Sequence, residues 1–245
     1  MPLAQFIIYL VRRLILPNSP KTMEWYMLRL LNKDRKSHNL KTLFMQEDLR
    51  EVARKHSQDM AKKDYFSHTN KLGKSPSDRL KQARITEAIS GENLAKIGGY
   101  PLPTVRAEIG LMNSPGHRAN ILNEHYNCVG IGVVKSADKI YYYTQNFAKR
   151  ELIFFKKIPK IVSNRKGVLL KGKSIRDIKQ IIIEIEQANG VKQSQQIQIK
   201  NRLFRYNLYL KNTGIYKIRV HIKDQENYLL ANAFEIQVKR PWWLF

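Results

Sequence analysis

Apolar residues recur along this chain with two different periods, and the change falls near residue 150. Leu49, Val52, Ala53, His56 and Met60 stand three or four apart, while Arg50, Glu51, Lys55 and Asp59 fill the rest of the wheel. One stripe therefore faces a core, and the segment reads as an amphipathic helix. Residues 23–31, carrying Trp25, Leu28 and Leu31, predict an earlier helix that follows the Pro17-Asn-Ser-Pro20 stop. Ser75-Pro76-Ser77-Asp78 combines an N-cap, a proline in the first helical position and an acid in the first turn, so another helix starts there. Val105, Ile109 and Met112 predict a helix ending near Asn113, and Ser114-Pro115 opens the next, with Ala119 and Leu122 inside it. Residues 130–134 and 140–147 are rich in β-branched and aromatic side chains, flank Ser136-Ala137-Asp138 and read as a hairpin.

Beyond Arg150 the pattern shortens. Residues 181–185, 197–199, 206–210, 216–222 and 234–238 are strand candidates, and Tyr216-Lys-Ile-Arg-Val-His-Ile222 alternates strictly between apolar and polar. Several such strands separated by turns like Asn212-Thr213-Gly214 predict a β-sandwich. Tyr216, two residues after Gly214, matches the corner tyrosine of immunoglobulin-like sandwiches, without a cysteine pair. The expected organisation is an amphipathic segment over 1–20, a mixed helix-and-sheet domain over 21–150 and an all-β domain over 151–245.

The first segment does not span a membrane, because Arg12 and Arg13 interrupt the apolar run well short of about 20 residues. As a helix it puts Leu3, Phe6, Ile7, Leu10, Val11 and Leu14 on one face, which suits either an interfacial helix or packing against the body of the protein. No basic residue precedes the run and no small-residue cleavage site follows it, so no secretory signal is legible. The chain closes on Arg240-Pro-Trp-Trp-Leu-Phe245, a tail that suits a headgroup interface, a partner's groove or its own sandwich.

An apolar fraction of 43% over 245 residues excludes disordered and fibrous classes. One cysteine, Cys128, excludes an internal disulfide and thiolate zinc sites, so a metal would need His, Asp or Glu. The net charge is +24, with 25 basic and 13 acidic residues before position 151 and 19 and 7 after it. Scattered charges suit a solvated surface, and the same field attracts anionic lipid, acidic wall polymers or nucleic acid. No recognition motif or aromatic-interleaved basic segment supports nucleic acid.

Four segments stand in a meaningful order: His56-Ser-Gln-Asp-Met with Tyr65-Phe-Ser-His-Thr69, Gly91-Glu-Asn-Leu-Ala95, Met112-Asn-Ser-Pro-Gly-His-Arg-Ala-Asn-Ile-Leu122, and Val129-Gly-Ile-Gly-Val133 with Tyr143-Thr-Gln-Asn-Phe147. Over about residues 23–148 they resemble the CAP superfamily (cysteine-rich secretory proteins, antigen 5 and pathogenesis-related 1 proteins), in its bacterial SCP-like branch. The resemblance implies an α-β-α sandwich, a secreted or cell-envelope location, and a surface cleft lined by two His and usually two acids. By motif these are His68, Glu92 and His117. Ser114 stands where animal and plant members carry the second Glu, and Glu108 is a possible substitute outside the motif. Leu111 stands where bacterial relatives commonly carry Trp.

Two imidazoles and a carboxylate form a His₂Glu set that can hold Zn²⁺ or another divalent metal with a position left open. With Ser114 as N-cap, His117 is the third helical residue, where the helix dipole keeps its imidazole neutral. The opposing reading has His68, Glu92 and His117 hydrogen-bonding to close a small domain. Ser114 is read as a cap rather than a nucleophile, Cys128 as a packed apolar residue rather than the thiolate partner of His125, and His56 as a core histidine. The preferred function is a non-catalytic binding module whose cleft, His68, Glu92, Ser114 and His117, takes an apolar or wall-derived ligand. The alternative is a metal-dependent hydrolase or peptidase using the same cleft; no complete nucleophile, base and orienter set is legible for it. An anionic membrane surface is a further partner suggested by the charge and the two apolar termini, and the oligomeric state stays open.

Overall fold

The computed structural model describes residues 19–224 and 227–240. Residues 1–18 of the amphipathic segment and the Trp242-Trp243 tail lie outside the described residues. The chain divides into two compact units: the first takes the chain to Ala83 and Ser90–Ala148, the second Arg84–Ile89 and the chain from Lys149.

In the first unit, helices α1 (Pro20–Ser37), α2 (Glu47–Lys63), α3 (Pro76–Gln82), α4 (Pro103–Asn113) and α5 (Pro115–Ile121) surround one sheet. Its strands are β1 (Phe44–Met45), β2 (Ser90–Ile97), β3 (Cys128–Lys135) and β4 (Tyr141–Ala148), in the order β1-β3-β4-β2, antiparallel except for β1 against β3. Side-chain alternation gives the sheet two different faces. Val129, Ile131, Val133, Tyr143 and Phe147 join Met23, Met27 and Leu31 of α1 and Ala107 and Leu111 of α4 in one apolar core.

The other face carries Gly130 and Gly132 under α2. A Cβ on Gly130 would stand 2.1 Å from the Leu49 carbonyl carbon, and one on Gly132 2.2 Å from Arg54 N, so the helix backbone rests directly on the strand. The periodicity named the right face of α2, where Leu49, Val52, Ala53, His56 and Met60 are all buried. On α4 it named the wrong one. Ile109 is exposed, and the buried positions are Thr104, Ala107, Glu108 and Leu111, because a helix carrying a buried polar layer does not show its inner face as an apolar stripe. Trp25 likewise lies on the outside of α1, over the Arg50 guanidinium.

The second unit packs two sheets face to face. Strands β5 (Leu152–Phe154), β7 (Val168–Ser174) and β10 (Leu203–Leu208) form one, in the order β10-β7-β5. Strands β6 (Ile161–Ser163), β8 (Gln180–Gln187), β9 (Lys192–Gln198), β11 (Gly214–Asp224) and β12 (Asn227–Lys239) form the other, in the order β6-β12-β11-β8-β9. Between them lie Leu170, Ile181, Ile183, Phe204, Leu208, Ile218, Ile222 and Ile236. Arg84–Ile89 adds to β12: Ala233 N–H donates to Thr86 O and Ala88 N–H to Ala231 O, while Glu87 pairs with Arg150. No helix of the described residues is long and apolar enough to cross a membrane.

The expected corner tyrosine is formed, with Tyr216 Oη donating to Asn212 O at 3.1 Å and accepting from Asn212 N–H at 3.2 Å. Both backbone groups of Asn212, an exposed turn residue, are held by that hydroxyl. Tyr216→Phe should therefore cost about 0.5–1.5 kcal/mol in a urea unfolding series, and a change within error would show the corner to be incidental.

Candidate functional site

The cleft is built on β2, an edge strand whose alternation sends neighbouring residues in opposite directions. Glu92 points one way and is almost fully buried. Its Oε1 accepts from His68 Nδ1 at 2.8 Å, and its Oε2 from Arg79 Nη2 at 2.6 Å. With its amide turned to suit its neighbours, Asn146 donates to the same Oε2 at 3.1 Å. Arg79 Nη1 also donates to the carbonyls of His68 and Lys74, at 2.7 and 3.0 Å. One guanidinium thus holds the carboxylate and the loop that carries its imidazole partner. The Ser75 capping box with Asp78 sets the start of α3 and so aims Arg79.

His56 supports the same loop from beneath. It is buried, its Nε2 donates to Ser67 O at 3.0 Å, and burial holds its pKa below the ordinary value. That is the core histidine expected from the pattern.

Asn93 points the other way. Its Nδ2 donates to His117 O at 3.0 Å and to Gln145 Oε1 at 3.1 Å, and its Oδ1 accepts from Asn120 at 2.9 Å. These bonds fasten α5, and hence His117, to the sheet. Ser114 is the N-cap residue by backbone conformation, but its side chain caps no helix N–H. Its Oγ instead lies 2.9 Å from His117 Nδ1. This corrects the expectation that the hydroxyl is committed to the backbone, because a ring nitrogen one turn on competes for it. Burial first, and the nearby His68 second, lower the His117 pKa, so its imidazole is neutral at neutral pH.

The structure therefore makes two pairs, His68 with Glu92 and His117 with Ser114. Among the described residues no three His, Cys, Asp or Glu side chains are grouped to hold a metal ion. Both Glu92 oxygens of the expected His₂Glu set accept hydrogen bonds, from His68, Arg79 and Asn146. Beside His68 opens a cavity of 340 Å³, with Pro76 and Leu80 as its apolar lining and Ser77, Ser90 and Glu92 as its polar one.

Glu108 is not the second cleft acid. It is buried, accepts from Gln145 Nε2 at 3.2 Å, and leaves Oε1 without a partner. Burial, helped by the charge of Asp34, pushes its pKa up to about 8. Leu111 sits in the core, and Cys128 is buried and donates to Ala148 O, away from the exposed His125. Arg79 is the residue that sequence reading missed. It lies 13 positions from Glu92, a spacing that carries no local signal.

The fold and the paired imidazoles define a CAP-type domain, and the comparisons agree. The profile of the CAP (cysteine-rich secretory protein) family matches residues 28–147, so the first unit is a CAP domain. Over 131 residues it is 39% identical to the uncharacterized protein YkwD of Bacillus subtilis (strain 168), covering 54% of this chain and 49% of the relative. Over 129 residues it is 40% identical to the uncharacterized membrane protein YlbC of the same strain, covering 53% of this chain and 35% of the relative. The chain thus spans half or less of these curated relatives. An outer surface protein from Borrelia burgdorferi shares the fold at a TM-score of 0.50 and 22% identity, covering 54% of this chain and 96% of that one.

Two expectations follow from this geometry. Arg79→Met leaves a buried carboxylate short of its cation and should cost about 3–5 kcal/mol, whereas Arg79→Met/Glu92→Leu should cost less than the single change. Chemical denaturation of both variants checks the order. Glu108 has a folded pKa raised above its ordinary 4.5, so its contribution is complete below that value and is lost as pH rises through about 8. The melting temperature of the wild type should fall between about pH 5 and 8 relative to Glu108→Gln and run level with it above that; parallel curves throughout would refute the assignment.

Proposed function

We propose that the CAP domain is an extracytoplasmic binding module whose cleft of His68, Glu92, Ser114 and His117 takes an apolar or wall-derived ligand beside a divalent metal. The observation that carries this is the pairing of each imidazole through Nδ1, His68 to Glu92 and His117 to Ser114. A carboxylate or hydroxyl on one ring nitrogen fixes the ring and raises the basicity of the other, the usual arrangement behind a ligating histidine. The two imidazoles would hold an ion such as Zn²⁺ through their free ring nitrogens, with Glu92 as orienter. Such an ion, when bound, offers open positions that polarise an oxygen of the ligand. The cavity beside His68, lined by Pro76 and Leu80 together with Ser77, Ser90 and Glu92, supports a ligand with both characters. An extracytoplasmic location is supported by the secretory family and by the outer-surface name of the Borrelia protein that shares the fold.

A hydrolase using the same cleft draws on the 2.9 Å contact between Ser114 and a neutral His117. Against it, no described carboxylate is bonded to the His117 ring, and Glu92 is engaged elsewhere.

Calorimetric titration with Zn²⁺ tests the binding reading. Binding should disappear in His68→Ala/His117→Ala with the circular dichroism spectrum unchanged, and should weaken roughly 10- to 100-fold in Glu92→Gln. Equal heats in wild type and double variant would remove the metal from the cleft. Peptide hydrolysis that survives repurification and vanishes in Ser114→Ala would replace binding with catalysis.

A further inference from the structure

The outward face of the three-stranded sheet in the second unit departs from what an idle protein surface carries. Strict alternation in β7 buries Val168, Leu170 and Ser174 and turns Leu169, Lys171 and Lys173 to solvent. In β10 the outward residues are Leu203, Arg205 and Asn207, continued by Tyr209. The register places Arg205 opposite Lys171 and Leu203 opposite Lys173. On the other side Ile153 stands opposite Lys173, and Phe155, whose N–H donates to Lys171 O, stands opposite Lys171. The Lys171 ammonium lies 5.9 Å from the centre of the Phe155 ring.

Two features need a cause. First, like charges directly opposite each other across a ladder destabilise a sheet, yet Lys171 and Arg205 are so placed. No residue of β5, β7 or β10 is Asp or Glu. The nearest acid in sequence, Glu151, is buried and paired with Arg176 and Lys149. Second, Leu169, Leu203, Phe155 and Tyr209 are 40 to 68% exposed on this one face. A face of roughly 10 by 20 Å thus carries a cationic row set among apolar side chains.

We infer that this sheet face is a docking surface for an anionic lipid bilayer. Charge complementarity explains the tolerated repulsion, because lipid phosphates between Lys171 and Arg205 turn it into attraction, with Lys173 adding to the same field. The aliphatic neighbours choose between anionic partners. A polyphosphate or a wall polymer in water has no apolar phase to receive Leu169 and Leu203, and nucleic acid would use flat rings rather than leucines. A bilayer receives both kinds of group, with cations at the headgroups and Leu, Phe and Tyr at the acyl boundary. The inference is independent of the cleft and survives or fails without it.

Vesicle co-sedimentation of the full chain tests it, with phosphatidylcholine alone and with 30% phosphatidylglycerol. The wild type should prefer the anionic vesicles. Lys171→Gln/Lys173→Gln/Arg205→Gln should weaken that binding about 100-fold, at roughly fivefold for each cation near the surface. Lys171→Gln alone should weaken it about fivefold to tenfold. A control of equal charge on the first unit, Lys33→Gln/Lys36→Gln/Lys41→Gln, should stay within about threefold. Leu169→Ser/Leu203→Ser should lose the part of the binding that resists salt, since apolar insertion is not screened. The Lys171 and Arg205 changes relieve repulsion, so the triple variant should melt no lower than the wild type. Equal losses in both triple variants would reduce the effect to net charge. Full displacement by inorganic polyphosphate, with the leucine variant unchanged, would reassign the face to a soluble polyanion.

Discussion

The site in the first unit depends on one buried ion pair. Glu92 is held inside an edge strand where an uncompensated carboxylate would be costly, and the compensation is the Arg79 guanidinium. The same guanidinium binds the two carbonyls that shape the His68 loop, so charge neutralisation and loop geometry are one event. His68 is consequently placed by the pair and not by its own packing, since its side chain is half exposed.

Around that pair the domain carries an unusual polar layer. Asn93, Thr144, Gln145, Asn146 and Glu108 are all buried within or against a four-stranded sheet. Most have partners: Ser57 bonds Thr144, and Asn93 bridges Gln145 to the His117 carbonyl. A satisfied network of this kind fixes one arrangement more strictly than an apolar core does, because any shift strands a donor or acceptor in low dielectric. Glu108 is the exception, with one oxygen unpartnered, and its proton is the consequence. The close rest of α2 on Gly130 and Gly132 brings Ser57 and Ala53 within reach of that layer.

The second unit obeys simpler rules. Its core is aliphatic, its strands alternate, and its corner is closed by a tyrosine hydroxyl. What its interior does not use is turned outward, and on β7 and β10 this sets two cations, Lys171 and Arg205, opposite each other.

Local physics is legible in the chain itself. The helix over Glu47–Lys63, the Ser75 capping box, the hairpin of β3 and β4 and the alternation of β11 all rest on neighbours within a turn or a ladder step, and sequence shows such neighbours directly. The four ordered motifs also delivered His68, Glu92, Ser114 and His117, and with them the family. Sequence reading did not reach strands β1, β2, β5, β6 and β7, the choice of Arg84–Ile89 for the second unit, the inner face of α4, or the partner of the Ser114 hydroxyl. Each of these is settled between residues distant in sequence, or by competition between two partners at similar range. The role of Glu92 shows the division most clearly. The motif identifies the residue, but only the folded chain brings Arg79 to its second oxygen, because the cost of burying a charge is offset by whatever cation the tertiary structure supplies.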